Sequence, residues 1–191
     1  MGSKSVDDAN SSFLKGPLLK QGRFPHNSLE THDNDWRLGG QVTGYRTAAN
    51  LLIDAYLERR GSLTLLHPIL YLYRHSIELH LKRLIARFDG EWPGEGHNLG
   101  QLWKRTNDIV GKYISVSTDD LGKLMSELHN VDPHGMTFRY PTDREQAPIE
   151  ISLSEIDVEH LKVKMEEIEV ALSGLEAMLE QALEAIVEAS H

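Results

Sequence analysis

The chain has 191 residues, 40% of them hydrophobic, and a formal net charge of −9 from 29 acidic against 20 basic residues. That size favours one domain with a buried core, the composition excludes global disorder, and the charge excludes a protein whose whole surface grips nucleic acid. Cysteine is absent, which removes disulfides, thiolate catalysis and cysteine-containing zinc sites and fits a reducing cytoplasm.

No apolar run approaches the roughly 20 residues of a membrane helix. Residues 1–12 carry no apolar stretch of the kind export needs, so the expectation is a cytoplasmic chain that engages no membrane. Residues 1–34 are rich in Ser, Asn, Asp, Gly and Pro and read as a flexible N-terminal segment, leaving 35–191 as the helical domain.

The first helix is predicted from Asp35, a suitable N-cap, to about Arg60. Its early Gly39, Gly40 and Gly44 weaken the first turns, and Ala48, Leu51, Leu52, Ala55 and Tyr56 give it one apolar stripe. A second helix runs from about Ser62 to Phe88, with Pro68 near its start, where a missing N–H costs little. Asn98 caps a third towards Ile109, and a fourth begins at Ser117 or Asp119 and ends at His129. Met136 to Asp143 is irregular, and Pro148 to Leu153 alternates apolar and polar residues as a short extended segment does.

The last helix, from Ser154 or Asp157 to Glu188, is the clearest element. Leu161, Met165, Ile168, Leu172, Leu175, Leu179, Ala182 and Ile186 step by four and three alternately, a heptad seam that fits packing within the fold, a dimer interface, or both. Ten acids lie from Glu155 onward against only Lys162 and Lys164, whereas Arg74, Lys82, Arg83 and Arg87 make the second helix basic. Such a division is either two solvated faces or a groove for an anion beside a face for a partner.

Chemistry concentrates on the second helix. Arg74, Glu78 and Lys82 recur at i, i+4 and i+8 on one face, either as a satisfied polar stripe or as part of a site. His97 precedes the third helix, where it can serve as part of a cap or move a proton beside an anion held at the helix end. In Phe138-Arg-Tyr-Pro141 the aromatics either pin the loop to the core, with Arg139 paired to Glu78 or Asp143, or stack on bases. His129, Asp132 and His134 form a loop cluster without the spacing of a metal site, so no metal is expected.

Arg74-His-Ser-Ile-Glu-Leu-His-Leu-Lys82, then Gly96-His-Asn-Leu99, then Phe138-Arg-Tyr-Pro141 ahead of a long closing helix resembles the HEPN superfamily over roughly residues 63–141. The resemblance implies an all-α, up-and-down bundle of about five helices that forms a homodimer. It also implies a place in a bacterial toxin–antitoxin, abortive-infection or antiviral module, an RNA or nucleotide ligand and, in many members, endoribonuclease activity needing neither metal nor cofactor. The family's signature is an arginine, four to six residues, then a histidine; Arg74 and His80, with five residues between them, fit it. In that reading Arg74 holds the scissile phosphate and His80 acts as acid or base on the 2′-hydroxyl, supported by Glu78. His75, Lys82, His97, Arg139 and Tyr140 bind the RNA or anion. The signature usually lies on a C-terminal helix, yet here the final helix has no arginine. The alternative is a non-catalytic scaffold that holds a protein partner through its acidic C-terminal helix.

Overall fold

Side-chain caps fix where several helices begin. The structure, a computed structural model, describes residues 34–58, 62–94, 96–142, 145–149 and 156–190. The predicted N-terminal segment therefore lies outside the described residues except for Asn34, the first residue of helix α1 (Asn34–Leu57). Ser62 caps a short 3-10 turn, Leu63–Leu65, which takes the place of the first predicted turn of the second helix; α2 proper is Leu66–Phe88. Asn98 caps α3 (Leu99–Tyr113), its side chain accepting from the Gln101 N–H at 2.9 Å. After α4 (Asp119–Val131), the Asp157 side chain accepts from the His160 N–H at 2.9 Å and starts α5 (Val158–Ala189). Among the described residues the strand-like pairing outside helices is one isolated antiparallel bridge, Thr142 with Pro148; residues 150–153 of the predicted extended segment lie outside them.

The architecture is an all-α bundle of five helices with α2 at its centre, packed against α1, α3 and α5. Ile69, Leu81, Leu84 and Ile85 of α2 meet Ile53 of α1, Leu99 of α3, Met125 of α4 and Leu172 of α5 in one fully buried cluster. The predicted seam of α5 is buried at Met165, Ile168, Leu172, Leu175 and Leu179, so this stretch packs within the fold. Beyond Leu179 the seam leaves the body, and Leu183, Ile186 and Val187 are exposed.

The charge division resolves into internal pairs. Arg83 of α2 makes a bidentate bridge to Asp35 at 2.8 and 2.9 Å and also reaches Glu176 of α5 at 2.8 Å. Arg87 meets Glu176 at 3.2 Å and Glu180 at 2.6 Å. Lys162 pairs with Asp54 at 2.7 Å, and Arg46 with Glu169. Arg83 and Arg87 of α2 are thus paired with Glu176 and Glu180 of α5, while Arg74 and Lys82 pair with Glu78 of their own helix. No helix among the described residues is long and apolar enough to cross a membrane.

Candidate functional site

An α-helix brings i, i+4, i+7 and i+11 to one stripe. On α2 these are Tyr71, His75, Glu78 and Lys82, flanked by Arg74. Three buried charges lie at the centre: Arg74 is 2% exposed, Glu78 1% and Lys82 4%. Glu78 Oε2 accepts from Arg74 Nη1 at 2.6 Å; Oε1 faces Lys82 Nζ at 3.0 Å and His97 Nδ1 at 2.8 Å. Burial pushes the Glu78 carboxyl up, but hydrogen bonds from Arg74, Lys82 and His97 outweigh it and hold the group at about 2. Glu78 is therefore ionised at neutral pH and can only accept, so His97 Nδ1 carries the proton.

Each nitrogen of Arg74 has a protein partner. Beyond Glu78, its Nη2 donates to the His97 carbonyl at 2.5 Å and its Nε to the Asp132 carbonyl at 3.3 Å. Asp132 Oδ2 lies 2.9 Å from the same Nε but off the N–H axis, which gives charge compensation without a hydrogen bond. Asp132 Oδ1 accepts the Met136 and Thr137 N–H groups at 2.8 and 3.0 Å, tying the following turn down. Among the described residues no group of three or more His, Cys, Asp or Glu could hold a metal ion.

His80 lies elsewhere. Six residues turn a helix by about 600°, which leaves it roughly 120° from Arg74. It is 5% exposed, and its Nε2 sits 3.2 Å from Glu176 on α5. Burial raises the Glu176 carboxyl, but His80, Arg83 and Arg87 together hold it below its ordinary value. Within the chain Arg74 and His80 are thus buried on different sides of α2, each with its own protein partner. The fold gathers Arg74, Glu78, Lys82 and His97 but leaves His80 out.

The surface above the buried charges carries a row of planar groups. Tyr45 of α1 meets the His75 ring edge-on at 4.5 Å, and His75 stacks on Tyr71 at 5.5 Å with the rings 10° from parallel. The Arg139 guanidinium lies 5.8 Å from the Tyr71 ring and 5.5 Å from that of Tyr140. Arg139 also donates to the Gly135 carbonyl, whereas the oxygens of Glu78 are taken by other donors; Asp143 lies outside the described residues. The two aromatics of the turn divide the expected roles: Phe138 is buried and pins it, while Tyr140 is 50% exposed. Burial, with the charges of Arg74, Lys82 and His97, pulls the His75 imidazole down against the opposing pull of Glu78, leaving it neutral at pH 7.

Of the residues in this row, His75, Arg139 and Tyr140 are named from the sequence, and Tyr45 and Tyr71 are not. Tyr71 was signalled by its four-residue spacing from His75; Tyr45 comes from another helix and had no local signal. Asp132, read as a loop carboxylate, is instead the brace between Arg74 and the turn.

This helical core is that of a known class. The HEPN domain family matches residues 45–188, and the chain belongs to it. Comparison with curated proteins and comparison with solved structures each returned no match.

Proposed function

We propose that this HEPN domain serves a bacterial stress or defence module by binding single-stranded RNA on the row Tyr45, His75, Tyr71, Arg139 and Tyr140. The alternation of rings and a guanidinium at stacking distances carries this reading. Single strands are held by stacking bases on aromatic faces beside a cation that meets the phosphates, and such stacking is worth about 1–3 kcal/mol per base. Arg139 supplies the cation, since Arg83 and Arg87 are engaged by carboxylates. Fluorescence anisotropy with a labelled RNA oligomer is the test. Tyr140→Ala is expected to weaken binding about tenfold with folding unchanged. Affinity should fall with added salt, less steeply in Arg139→Ala. An RNA that fails to bind at low salt overturns the reading.

A second reading, a scaffold or homodimer held through α5, rests on the exposed Leu183, Ile186 and Val187 beyond the body of the bundle. Light scattering of the full chain should then report an assembly larger than one chain. Ile186→Glu combined with Val187→Glu should return it to the monomer while RNA anisotropy is unaffected. A wild-type monomer at all concentrations removes this reading.

A further inference from the structure

The aromatic row does not exhaust the helix faces that carry it. On α2 the stripe of Tyr71 and His75 continues through Lys82 to Ala86, at i, i+4, i+11 and i+15. On α1 the face of Tyr45 continues back through Gln41 to Arg37 in four-residue steps. The two helices run antiparallel, since Tyr45 meets His75 while Asp35 bridges Arg83. Both stripes therefore lead the same way, to a recess of about 600 Å³ whose lining includes Arg37, Gln41, Ala86 and Trp92.

The recess has the parts that hold one nucleotide of a strand. Trp92 is 52% exposed, and Lys82 Nζ sits 5.9 Å from the centre of its ring. An ammonium over one face orients the indole and leaves the other face to a ligand ring. Lys82 is itself buried and anchored on Glu78 at 3.0 Å, so Trp92 stands on the same charge cluster as the row. Arg37 is exposed and has no ion-pair partner among the described residues. The other charges at the recess are already paired, Asp35 with Arg83 and Arg87 with Glu176 and Glu180. Gln41 adds a carboxamide that can both donate to and accept from a base edge.

Resting on the RNA-binding reading above, we propose that this recess is a second subsite for the same strand. A base stacks on Trp92, its edge meets Gln41, and Arg37 holds the neighbouring phosphate. Lys82 follows His75 by seven residues, which places the subsite about 10 Å along α2 from the row. A strand that only fills the row does not reach it, whereas a longer one does. The two sites together set the length of RNA bound with full affinity. Stacking accepts any base, so the recess selects an unpaired strand and not a particular sequence.

Fluorescence anisotropy on the full chain tests this by comparing a single-stranded RNA of roughly ten nucleotides with one of roughly four. Trp92→Ala should weaken the longer strand about tenfold and the shorter less than about twofold. Trp92→Phe keeps a stacking ring and should stay within about threefold of wild type on both. Arg37→Ala should lower the salt slope of the longer strand by about one and leave that of the shorter unchanged. The longer strand should also quench indole emission, and the quench should shrink in Trp92→Phe although binding persists. Circular dichroism checks that each variant keeps the fold. Unchanged affinity of folded Trp92→Ala for the longer strand overturns the proposal and leaves the row as the binding site. Equal weakening of both lengths also overturns it, as does a free mononucleotide that binds at Trp92 as tightly as the longer strand. RNA that binds at neither length overturns this proposal and the binding reading together.

Discussion

Glu78→Gln is expected to destabilise the protein by about 3–5 kcal/mol at neutral pH, the cost of breaking a buried ion pair from one side. Glutamine keeps the shape of the side chain but removes the charge shared by Arg74 at 2.6 Å and Lys82 at 3.0 Å. Both cations are buried, and among the described residues Asp132 is the other carboxylate paired with Arg74. The pH dependence has a definite sign. The Glu78 carboxyl is held at about 2 in the fold against 4.5 as its ordinary value. A depressed carboxyl contributes stability that is fully present above the unfolded value and is lost as pH falls towards the folded one. The loss therefore runs between roughly pH 5 and 2 and amounts to about 3 kcal/mol. Denaturant midpoints measured across that range should show wild type and Glu78→Gln converging as the solution is acidified. A constant gap between them would mean that the carboxylate is not the group that titrates.

The helices were legible because their signals are local. Asn98 caps where it was expected to, and of Ser154 and Asp157, both open as the start of the last helix, Asp157 is the cap. The seam of α5 reads as a strict four-three repeat, and its inner part is buried as such repeats are. Its end was not legible: the spacing of Ala182 and Ile186 continues the pattern, but the body of the bundle stops at Leu179. How far a seam is covered depends on the lengths of the helices packed beside it, which spacing does not encode.

The site was legible along α2 and illegible across it. Arg74, Glu78 and Lys82 share a face by arithmetic alone, and their burial follows from the apolar surroundings of that helix. The pairing of Arg74 with His80 came from a motif that counts residues without regard to helical angle. The fold separates the two side chains and gives the carboxylate of the ladder a different histidine, His97, from the loop before α3. Segmental charge left its alternatives open. A basic second helix and an acidic last helix look like two free surfaces, but Arg83 and Arg87 meet Glu176 and Glu180 directly. Opposite charges on separate segments are as much a sign that the segments pack together as that each awaits a partner.

Gly135→Val is expected to cost on the order of 3 kcal/mol and, on the RNA-binding reading proposed above, to weaken RNA binding as well. Gly135 has φ of 70°, a left-handed conformation that β-branched residues avoid. A Cβ there would lie 3.3 Å from Arg74 Cζ and Nη1, tighter than usual packing. The guanidinium has nowhere to retreat, because Glu78, Asp132 and the His97 carbonyl hold its nitrogens on the other sides. Relief must come from the turn, whose Gly135 carbonyl accepts from Arg139 and whose next two N–H groups are fixed on Asp132. A shift there moves Arg139 relative to Tyr71 and Tyr140, so melting temperature and RNA affinity should fall together. Gly135→Asn separates the two causes: asparagine tolerates the left-handed region but still carries the Cβ. It should regain much of the stability lost in Gly135→Val while RNA binding stays weakened, because the contact with Arg74 persists. Full recovery of RNA affinity in Gly135→Asn would show that backbone strain, and not the contact with Arg74, displaces Arg139.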